Sequence, residues 1–301
     1  MKVLIPTAAT TASLLSSSLA EPQSGFPAWA GGTSYGKGAH VTSTATHRLY
    51  ESVIDANVGH DPAVGDKTYW VDIGPTNRWA MLDEAVGTQS VGTGSIDVTL
   101  APGRVNSLAV LDTTADTVQV IVTVDGTTLF DETRSTNASG GVIGDWYTYF
   151  TAETGRVNSL VINNLPSYAN GQVRVIITGD NPSGPVAVGT LLVGKVVDLG
   201  ITETGPSIGI TDFSRKATDD FGVTTVVERG WAKKMTIRSL IETRAVDGIQ
   251  RTVAGLRAKP ALWIGEEGFD SLTVYGFFKD FSEDLALESI SYCSLTIEGL
   301  I

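Results

Sequence analysis

The sequence predicts a mainly β protein, and composition, strand periodicity and an internal repeat lead to that fold class. Of 301 residues, 18% are charged and 33 are glycine, which together favour strands and turns over exposed helices. Residues 118–124 and 173–178 are rich in β-branched side chains that alternate with a period of two. Asp-Gly, Asn-Gly and Asn-Asn turns lie between such runs, a signal typical of hairpins.

The internal repeat predicts a sandwich in the middle of the chain. The hexapeptide Gly-Arg-Val-Asn-Ser-Leu at residues 103–108 recurs at residues 155–160, 52 residues later. Two similar halves of several strands predict a β-sandwich of jelly-roll or galactose-binding type over residues 88–182. The repeat has two interpretations: equivalent strand–turn units that pack one core, which we favour, or two equivalent ligand sites.

Gly-rich breaks at residues 87–94 and 179–185 predict the domain boundaries. Residues 1–28 imitate a secretory signal, but their apolar stretch is interrupted by Thr and Ser throughout, so we interpret them as a structured arm. The predicted parts are this arm, a small β module at residues 29–87, the sandwich at residues 88–182 and an assembly domain at residues 183–301.

The carboxyl-terminal domain is predicted to be rich in strands and to contain one helix. The helix is expected within residues 245–258, because Val246, Ile249, Val253 and Leu256 have helical spacing and Pro260 follows them. Strands are predicted at residues 191–199, 209–214, 261–264, 271–281 and 287–297.

The charge pattern limits the classes of partner. The net charge of −12 disfavours a nucleic-acid or anionic-lipid ligand, and no apolar run is long enough to suggest a membrane span. Residues 229–259 contain eight basic and two acidic side chains, a net charge of +6, whereas residues 266–298 contain one basic and eight acidic ones, a net charge of −7. These patches can pair within the domain or between neighbouring copies in a ring.

No motif predicts catalysis, a metal or a cofactor. The chain lacks a nucleophile elbow, a phosphate loop and paired zinc-ligand spacing, and its single cysteine, Cys293, excludes a disulfide framework and fits assembly in a reducing cytoplasm. His40, His47 and His60 match no metal-ligand spacing. Adjacent carboxylates on a strand point to opposite faces, which is unsuitable for two groups that flank one glycosidic bond. These carboxylates are Asp83-Glu84, Asp219-Asp220 and Glu266-Glu267.

Aromatic residues are dense between residues 29 and 79. Their flat faces can stack on sugar rings, or they can form the core of a tiny module that has few other residues to bury. Both interpretations stay open for Trp29 and Trp70. The candidate carbohydrate-binding residues are Trp29, Tyr35, Tyr50, Trp70 and Trp79.

The same segment resembles the short chitin-binding modules of carbohydrate-binding families 5 and 12. The resemblance rests on a Trp, a Gly-Thr-x-Tyr, a Gly-x-x-Val, a Tyr and a closing Trp. In this chain the matching positions are the run at residues 29–35, Gly38, Val41, residues 47–52, Asn57, Gly59, Pro62 and Trp70. The resemblance implies the alternative function of a carbohydrate-binding adhesin that contacts host surface polysaccharide.

Beyond Trp70 the chain resembles structural proteins of tailed-bacteriophage tails and baseplates. The most specific element is Gly-Pro-Thr-Asn-Arg-Trp at residues 74–79, and residues 1–4, 212–216, 220–222, 229–232, 262–265 and 293–300 support it. The resemblance implies a non-enzymatic virion protein, assembled in the bacterial host cytoplasm, whose copies form a ring that connects the tail tube to the hub and receptor-binding components.

Candidate assembly contacts follow from the same runs. An Arg beside a Trp can clamp a carboxylate of a neighbouring chain, or the Gly-Pro turn can simply close the small module. The basic stretch supplies the remaining candidates. The predicted assembly contacts are Asn77, Arg78, Arg229, Lys233, Lys234 and Arg238.

Overall fold

A computed structural model of the chain confirms the predicted fold class, because strands built into curled antiparallel sheets dominate it. The chain divides into two compact units. The terminal unit comprises Met1–Thr7 and Gly194–Ile301, and the central unit comprises Ala8–Val193. The structure describes residues 1–83, 85–136, 157–218, 220–222, 224–285 and 288–300.

The central unit contains a β-sandwich. Strands are numbered in chain order throughout. The strands that build it are β2 Leu14–Ser17, β6 Ser90–Thr93, β7 Ser95–Leu100, β8 Ser107–Thr113, β9 Thr117–Val124, β10 Thr127–Ser135, β11 Ser159–Ile162, β12 Gln172–Thr178 and β13 Pro185–Asp198. One sheet has the order β10-β9-β12-β7-β2, and the other has the order β11-β8-β13 with β6 also paired to β13.

The alternation predicted for the sandwich strands places one face of each strand in its core. Val118, Val120 and Val122 of β9 are all buried, as are Val173 and Val175 of β12, because residues two apart share a face. The predicted strands at residues 118–124 and 173–178 are confirmed. The assignment of the sandwich to the jelly-roll or galactose-binding type stays a prediction.

The two copies of the hexapeptide repeat lead into neighbouring strands. β8 pairs antiparallel with β11. The carbonyl of Asn106 accepts from the amide of Leu165 and that of Asn158 accepts from the amide of Thr113, both at 3.1 Å. Residues 106 and 158 occupy the same position in the two copies, so the pair has local two-fold symmetry. This arrangement favours the packing interpretation of the repeat; residues 155 and 156 lie outside the described residues.

The two Gly-rich breaks predicted as boundaries are hydrogen-bonded to each other inside the central unit. The amide of Gly94 donates to the carbonyl of Gly184 at 2.7 Å, and the amide of Gly179 donates to the carbonyl of Gly94 at 2.9 Å. Gly94 has a φ of +69°, and a Cβ there would lie 2.2 Å from the carbonyl oxygen of Pro182. Glycine is therefore required by both backbone conformation and space.

A three-stranded sheet, β3-β4-β5, forms the centre of the segment predicted as a small module. Its apolar cluster contains Tyr35, Val41, Tyr50 and Trp70. The bounds are β3 His40–Ser43, β4 Arg48–Ser52 and β5 Trp70–Pro75, and short 3₁₀ turns occupy Pro62–Val64 and Ala80–Leu82.

The strands of the terminal unit are β1 Lys2–Pro6, β14 Ile201–Thr202, β15 Ser207–Asp212, β16 Arg215–Thr218, β17 Thr224–Val227, β18 Trp231–Glu242, β19 Ala261–Ile264, β20 Thr273–Asp284 and β21 Ile290–Gly299. They form a sheet of order β13-β1-β19-β20-β21-β18-β14, with β15 also paired to β18, while β16 and β17 pair with each other. Only residues 194–198 of β13 belong to this unit, and they pair with β1. The core of the unit includes Met235, Trp263 and Leu295.

The predicted helix is confirmed as Val246–Gly255, and Ile249 and Val253 are its buried residues. Two 3₁₀ turns, Thr243–Ala245 and Asp270–Leu272, also belong to the terminal unit. Residues 2–6 of the predicted arm form β1, which pairs with β13 and β19 of the same unit. The four-part division of the chain is finer than these two units, and its boundaries stay predictions.

Candidate functional site

Most of the aromatic residues predicted to bind carbohydrate form the core around the three-stranded sheet. Tyr35, Tyr50 and Trp70 are buried, and only 3% of Trp70 is exposed. Its indole Nε1 donates to the carbonyl of His60 at 2.8 Å, and its ring meets that of Tyr35 edge to face, with centroids 5.4 Å apart. Trp29 packs against this cluster and is partly exposed. The burial favours the core interpretation for Tyr35, Tyr50 and Trp70.

Trp79 is buried too, with 9% exposed, but it lies apart from that cluster, in a polar network centred on Glu21. The Glu21 side chain is 5% exposed, and its carboxylate accepts from Trp79 Nε1 at 3.2 Å and from Thr76 Oγ1 at 3.1 Å. His47 Nδ1 lies 3.0 Å from Glu21 Oε1, and the His47 ring stacks on Trp79 with centroids 4.2 Å apart. Sequence reasoning missed Glu21, since no motif marks a buried carboxylate whose partners lie 26 to 58 residues away.

A pocket of about 350 Å³ lies beside this network and opens to solvent. Hydroxyl groups, one guanidinium and one carboxyl group share its wall with apolar side chains. The lining residues are Ala9, Thr10, Thr11, Thr46, His47, Arg48, Pro75, Trp79, Leu82 and Asp83.

Several polar groups of the pocket are held by neighbours. Thr11 Oγ1 and His47 Nε2 share a hydrogen bond of 2.8 Å, and the hydroxyls of Thr46 and Tyr50 share one of 3.2 Å. The Arg48 Nε donates to Asp72 Oδ2 at 2.5 Å. These contacts limit the side-chain freedom that a ligand would otherwise have to remove.

Asp83 is the carboxyl group of the pocket. Burial raises its pKa above the ordinary value, while hydrogen bonds from Thr88 and the Ala85 amide and the charge of Arg48 act in the opposite direction. Desolvation is the largest of these effects, since it disfavours the charged form. Glu84, its neighbour in one of the adjacent carboxylate pairs, lies outside the described residues, as does Asp219 of another pair.

The predicted assembly contacts Asn77 and Arg78 bond within the central unit. Asn77 Oδ1 accepts from the amide of Val91 and its Nδ2 donates to the Val91 carbonyl, both at 2.8 Å. Arg78 Nε donates to the carbonyl of Leu19 at 2.9 Å, and Arg78 Nη1 lies 3.9 Å from Glu21 Oε2. These bonds favour the closing-loop interpretation of the Gly-Pro-Thr-Asn-Arg-Trp run.

Two of the basic assembly candidates pair inside the terminal unit. Lys233 Nζ lies 2.9 Å from Asp270 Oδ2. Arg238 lies 3.9 Å from Asp284 and stacks over the Tyr292 ring at 4.2 Å. The basic stretch at residues 229–259 and the acidic stretch at residues 266–298 therefore form ion pairs with each other within the unit. Arg229 and Lys234 are exposed.

A two-stranded extension of the terminal unit exposes many apolar side chains. We call this extension the arm, which is distinct from the predicted amino-terminal arm at residues 1–28. It consists of β15, β16, β17 and residues 231–233 of β18. The pairing of β15 with β18 ends at Asp212 and Trp231, and β16 then pairs with β17. Its exposed large apolar residues include Ile208, Ile210, Val226, Val227 and Trp231, and Phe213, which directly follows β15, is exposed as well.

The described part of the chain shows neither a metal cluster nor a membrane-spanning helix. Its His, Cys, Asp and Glu side chains form no group of three suited to a metal ion, and none of its helices has the length and apolar character needed to cross a bilayer. Burial raises the pKa of the Cys293 thiol to about 11, which makes it a poor nucleophile. That the protein is not an enzyme stays a prediction.

Comparison with family models gives no match for this chain, and neither does a search of curated proteins.

Proposed function

We propose that the protein is a non-enzymatic structural protein of a phage virion, located in the tail tip or baseplate. Identical copies would form a ring that connects the tail tube to the hub and the receptor-binding components. The observation that supports self-assembly best is the arm, because it combines paired strands with exposed apolar side chains. That the assembly is a ring in a phage tail tip or baseplate rests on the resemblance of the sequence to tail and baseplate proteins.

The arm has the properties of a surface whose apolar side chains are covered by a neighbouring copy. Ile208 and Ile210 are two residues apart and share one face, whereas Val226 and Val227 are adjacent and point to opposite faces. Apolar side chains therefore lie on both faces of the ribbon. An isolated two-stranded ribbon is only marginally stable in water, and large exposed apolar patches mark interaction sites.

Covering the arm would contribute favourable free energy to association. Ile210 is 67% exposed and Trp231 is 53% exposed. Burying a large apolar side chain fully contributes about 1.5–3 kcal/mol, so several such residues together can offset the entropy lost on association. A closed ring requires two different surfaces on each copy, and in this proposal they would be the arm of one copy and the body of the next.

Light scattering on a sizing column tests the self-assembly of the full chain. We expect a multimer, and Ile210→Ser combined with Val226→Ser should shift it toward the monomer by at least about tenfold in dissociation constant. Val64→Ser is the matched control, since Val64 is 79% exposed but lies in the central unit. A monomer at every concentration, or a multimer that the paired arm substitutions leave intact, would contradict the proposed mode of assembly.

Immunogold electron microscopy tests the virion location separately. Antibodies raised against the purified chain should label the tail tip of phage particles from the source lysate. Particles with labelled capsids only, or with no label, would contradict the proposed location even if the chain forms a ring by itself.

A further inference from the structure

We propose that the Thr11 hydroxyl is a nucleophile that accepts an acyl group from a thioester or an activated ester. The side chains that carry this inference are Thr11, His47 and Glu21, which are linked by hydrogen bonds. All three lie in the central unit, so the inference is independent of the arm and of the assembly role. It concerns one covalent modification of the chain and requires no turnover.

The three side chains are linked in the order hydroxyl, imidazole, carboxylate. Thr11 Oγ1 lies 2.8 Å from His47 Nε2, and His47 Nδ1 lies 3.0 Å from Glu21 Oε1. Both distances are those of hydrogen bonds, and the two bonds leave from different nitrogens of one ring. In this arrangement a base that is oriented by a carboxylate can take the proton of a hydroxyl nucleophile.

The surroundings of Glu21 determine which ring nitrogen of His47 carries the proton. Thr76 Oγ1 donates to Glu21 Oε1 at 3.1 Å, and Trp79 Nε1 donates to Glu21 Oε2 at 3.2 Å. The Arg78 guanidinium adds a positive charge 3.9 Å from the carboxylate. The carboxylate therefore accepts from His47 Nδ1 as well, and Nε2 keeps the lone pair that a base needs.

The backbone and the ring of His47 are both held in place. Its φ is +56°, in the left-handed region, and its carbonyl accepts from the Thr76 amide at 2.9 Å. The ring stacks on Trp79 with centroids 4.2 Å apart, and the side chain is 17% exposed. A backbone conformation of this kind costs on the order of 1–3 kcal/mol and is concentrated at functional sites, where it fixes a reacting group.

The Thr11 hydroxyl is accessible from solvent, unlike the carboxylate that positions the base. Thr11 is exposed, whereas the Glu21 side chain is 5% exposed. Thr11 and His47 line the pocket of about 350 Å³ that opens to solvent, a volume that suits a small acyl donor. Arg48 lines the same pocket, and its positive charge suits the oxyanion that develops when a carbonyl is attacked.

The acyl transfer needs only these side chains and the acyl donor. Thr11 Oγ1 attacks the carbonyl carbon while its proton passes to His47 Nε2 and the C=O electron pair moves to the carbonyl oxygen. The tetrahedral adduct then collapses, the bond from carbon to the leaving sulfur or oxygen breaks, and the leaving group takes the proton from Nε2. The products are an ester of Thr11, a thiol or alcohol, and neutral His47.

Peptide mass spectrometry of the full chain after exposure to p-nitrophenyl acetate tests the proposal. Thr11 should gain one acetyl group. Thr10 and Thr46, whose hydroxyls bond to Ser13 and Tyr50, are the internal references. They should be acetylated at least about a hundredfold more slowly, because a positioned base accelerates proton transfer by about 10²–10⁴-fold.

Substitutions separate the nucleophile, the base and the positioning carboxylate. Thr11→Val should abolish acetylation at this position, and Thr11→Ser should restore it. His47→Gln should slow the acetylation of Thr11 by about a hundredfold. Glu21→Gln should slow it by at least about tenfold, because the amide donates to Nδ1 and moves the ring proton to Nε2.

Nitrogen-15 NMR of the His47 ring gives a readout that a merely structural role of Glu21 would not move. The parent should carry the ring proton on Nδ1, and Glu21→Gln should move it to Nε2 in a protein that calorimetry shows to be folded. Thr46→Val is the matched control, because it removes a different hydroxyl of the same pocket. It should leave the rate of Thr11 acetylation unchanged.

The proposal is overturned if Thr11 is acetylated no faster than Thr10 and Thr46. It is also overturned if folded His47→Gln protein keeps the rate of the parent, or if the parent carries the ring proton on Nε2. Continued release of p-nitrophenolate that depends on Thr11 would support the nucleophile and contradict the non-enzymatic part of the proposed function. Loss of self-assembly in the arm variants should leave the acetylation of Thr11 unchanged, so the two proposals can fail separately.

Discussion

The segment around the three-stranded sheet and the arm are both rich in large apolar side chains, but they use them in opposite ways. Around the sheet, Tyr35, Tyr50 and Trp70 are buried against one another. In the arm, Ile210 and Trp231 are mostly exposed. The difference arises because three strands and their loops can enclose a small cluster, whereas a two-stranded ribbon has no second layer to cover its faces.

The contrast shows that aromatic density alone does not identify a binding surface. In a segment of about 55 residues, large rings are the most efficient way to exclude water, so the densest aromatic stretch is also the one that most needs a core. The arm, by contrast, has an unremarkable composition of Ile, Val and Thr that is typical of any strand.

The largest expected effect is a difference between two tryptophan substitutions. Trp70→Ala should lower the free energy of unfolding of the central unit by about 3–5 kcal/mol, because it leaves a cavity and removes the bond to the His60 carbonyl. Trp231→Ala should cost about 1 kcal/mol or less, because Trp231 is half exposed. Differential scanning calorimetry of both variants measures this.

The two tryptophan substitutions should have the opposite order of effect on the association of copies. Trp231→Ala is expected to weaken the multimer seen by light scattering, and Trp70→Ala should leave the association of the terminal unit intact. Equal loss of stability in the two variants would break the distinction between a buried cluster and an exposed arm.

A smaller effect is expected at the carboxylate beneath the pocket. Glu21→Gln should lower the free energy of unfolding by about 1–3 kcal/mol, because the amide brings a donor to a position where donors of Thr76 and Trp79 already converge. Urea unfolding measures the change.

Glu51→Gln is the matched control for that substitution. Glu51 also lies beside a histidine, His40, at 3.4 Å, but both side chains are exposed. Its substitution should change the stability by less than about 0.5 kcal/mol, as is usual for surface pairs. A comparable loss in both variants would show that the buried network contributes no more than a surface pair.

The smallest effect is a pH dependence at Asp83. Because burial raises the pKa of Asp83, the folded protein holds this proton more tightly than the unfolded chain. The resulting stabilisation is complete below the unfolded value of 3.8 and is lost as the pH rises through the higher folded value. Asp83→Asn has no such titration, so its stability relative to the parent should increase across that window.

Urea unfolding of both proteins between about pH 3 and pH 7 measures this difference. A relative stability that stays constant, or that falls as the pH rises, would contradict a raised pKa at this position.

Helices and strands could be predicted from the sequence where the periodicity of their apolar residues was clear. The helix needed only Val246, Ile249, Val253 and Leu256 at helical spacing, and the strands at residues 118–124 and 173–178 needed only alternation. The pocket was not predictable, because residues 9–11, 46–48 and 75–83 come together only through folding. Trp79 was named as a candidate, but without Glu21, His47 or Asp83.

The sequence by itself determined the β class, the one helical segment and the alternation that makes each sandwich strand two-faced, because these depend on neighbours a few residues apart. The tertiary structure decided which apolar residues meet water and which polar residues meet each other. Burial depends on how many layers cover a residue, and the partners of Glu21 lie tens of residues away in the chain. Outside the alternating sandwich strands no local pattern encodes either quantity, so the core of the small sheet, the pocket and the exposed arm became distinct only in three dimensions.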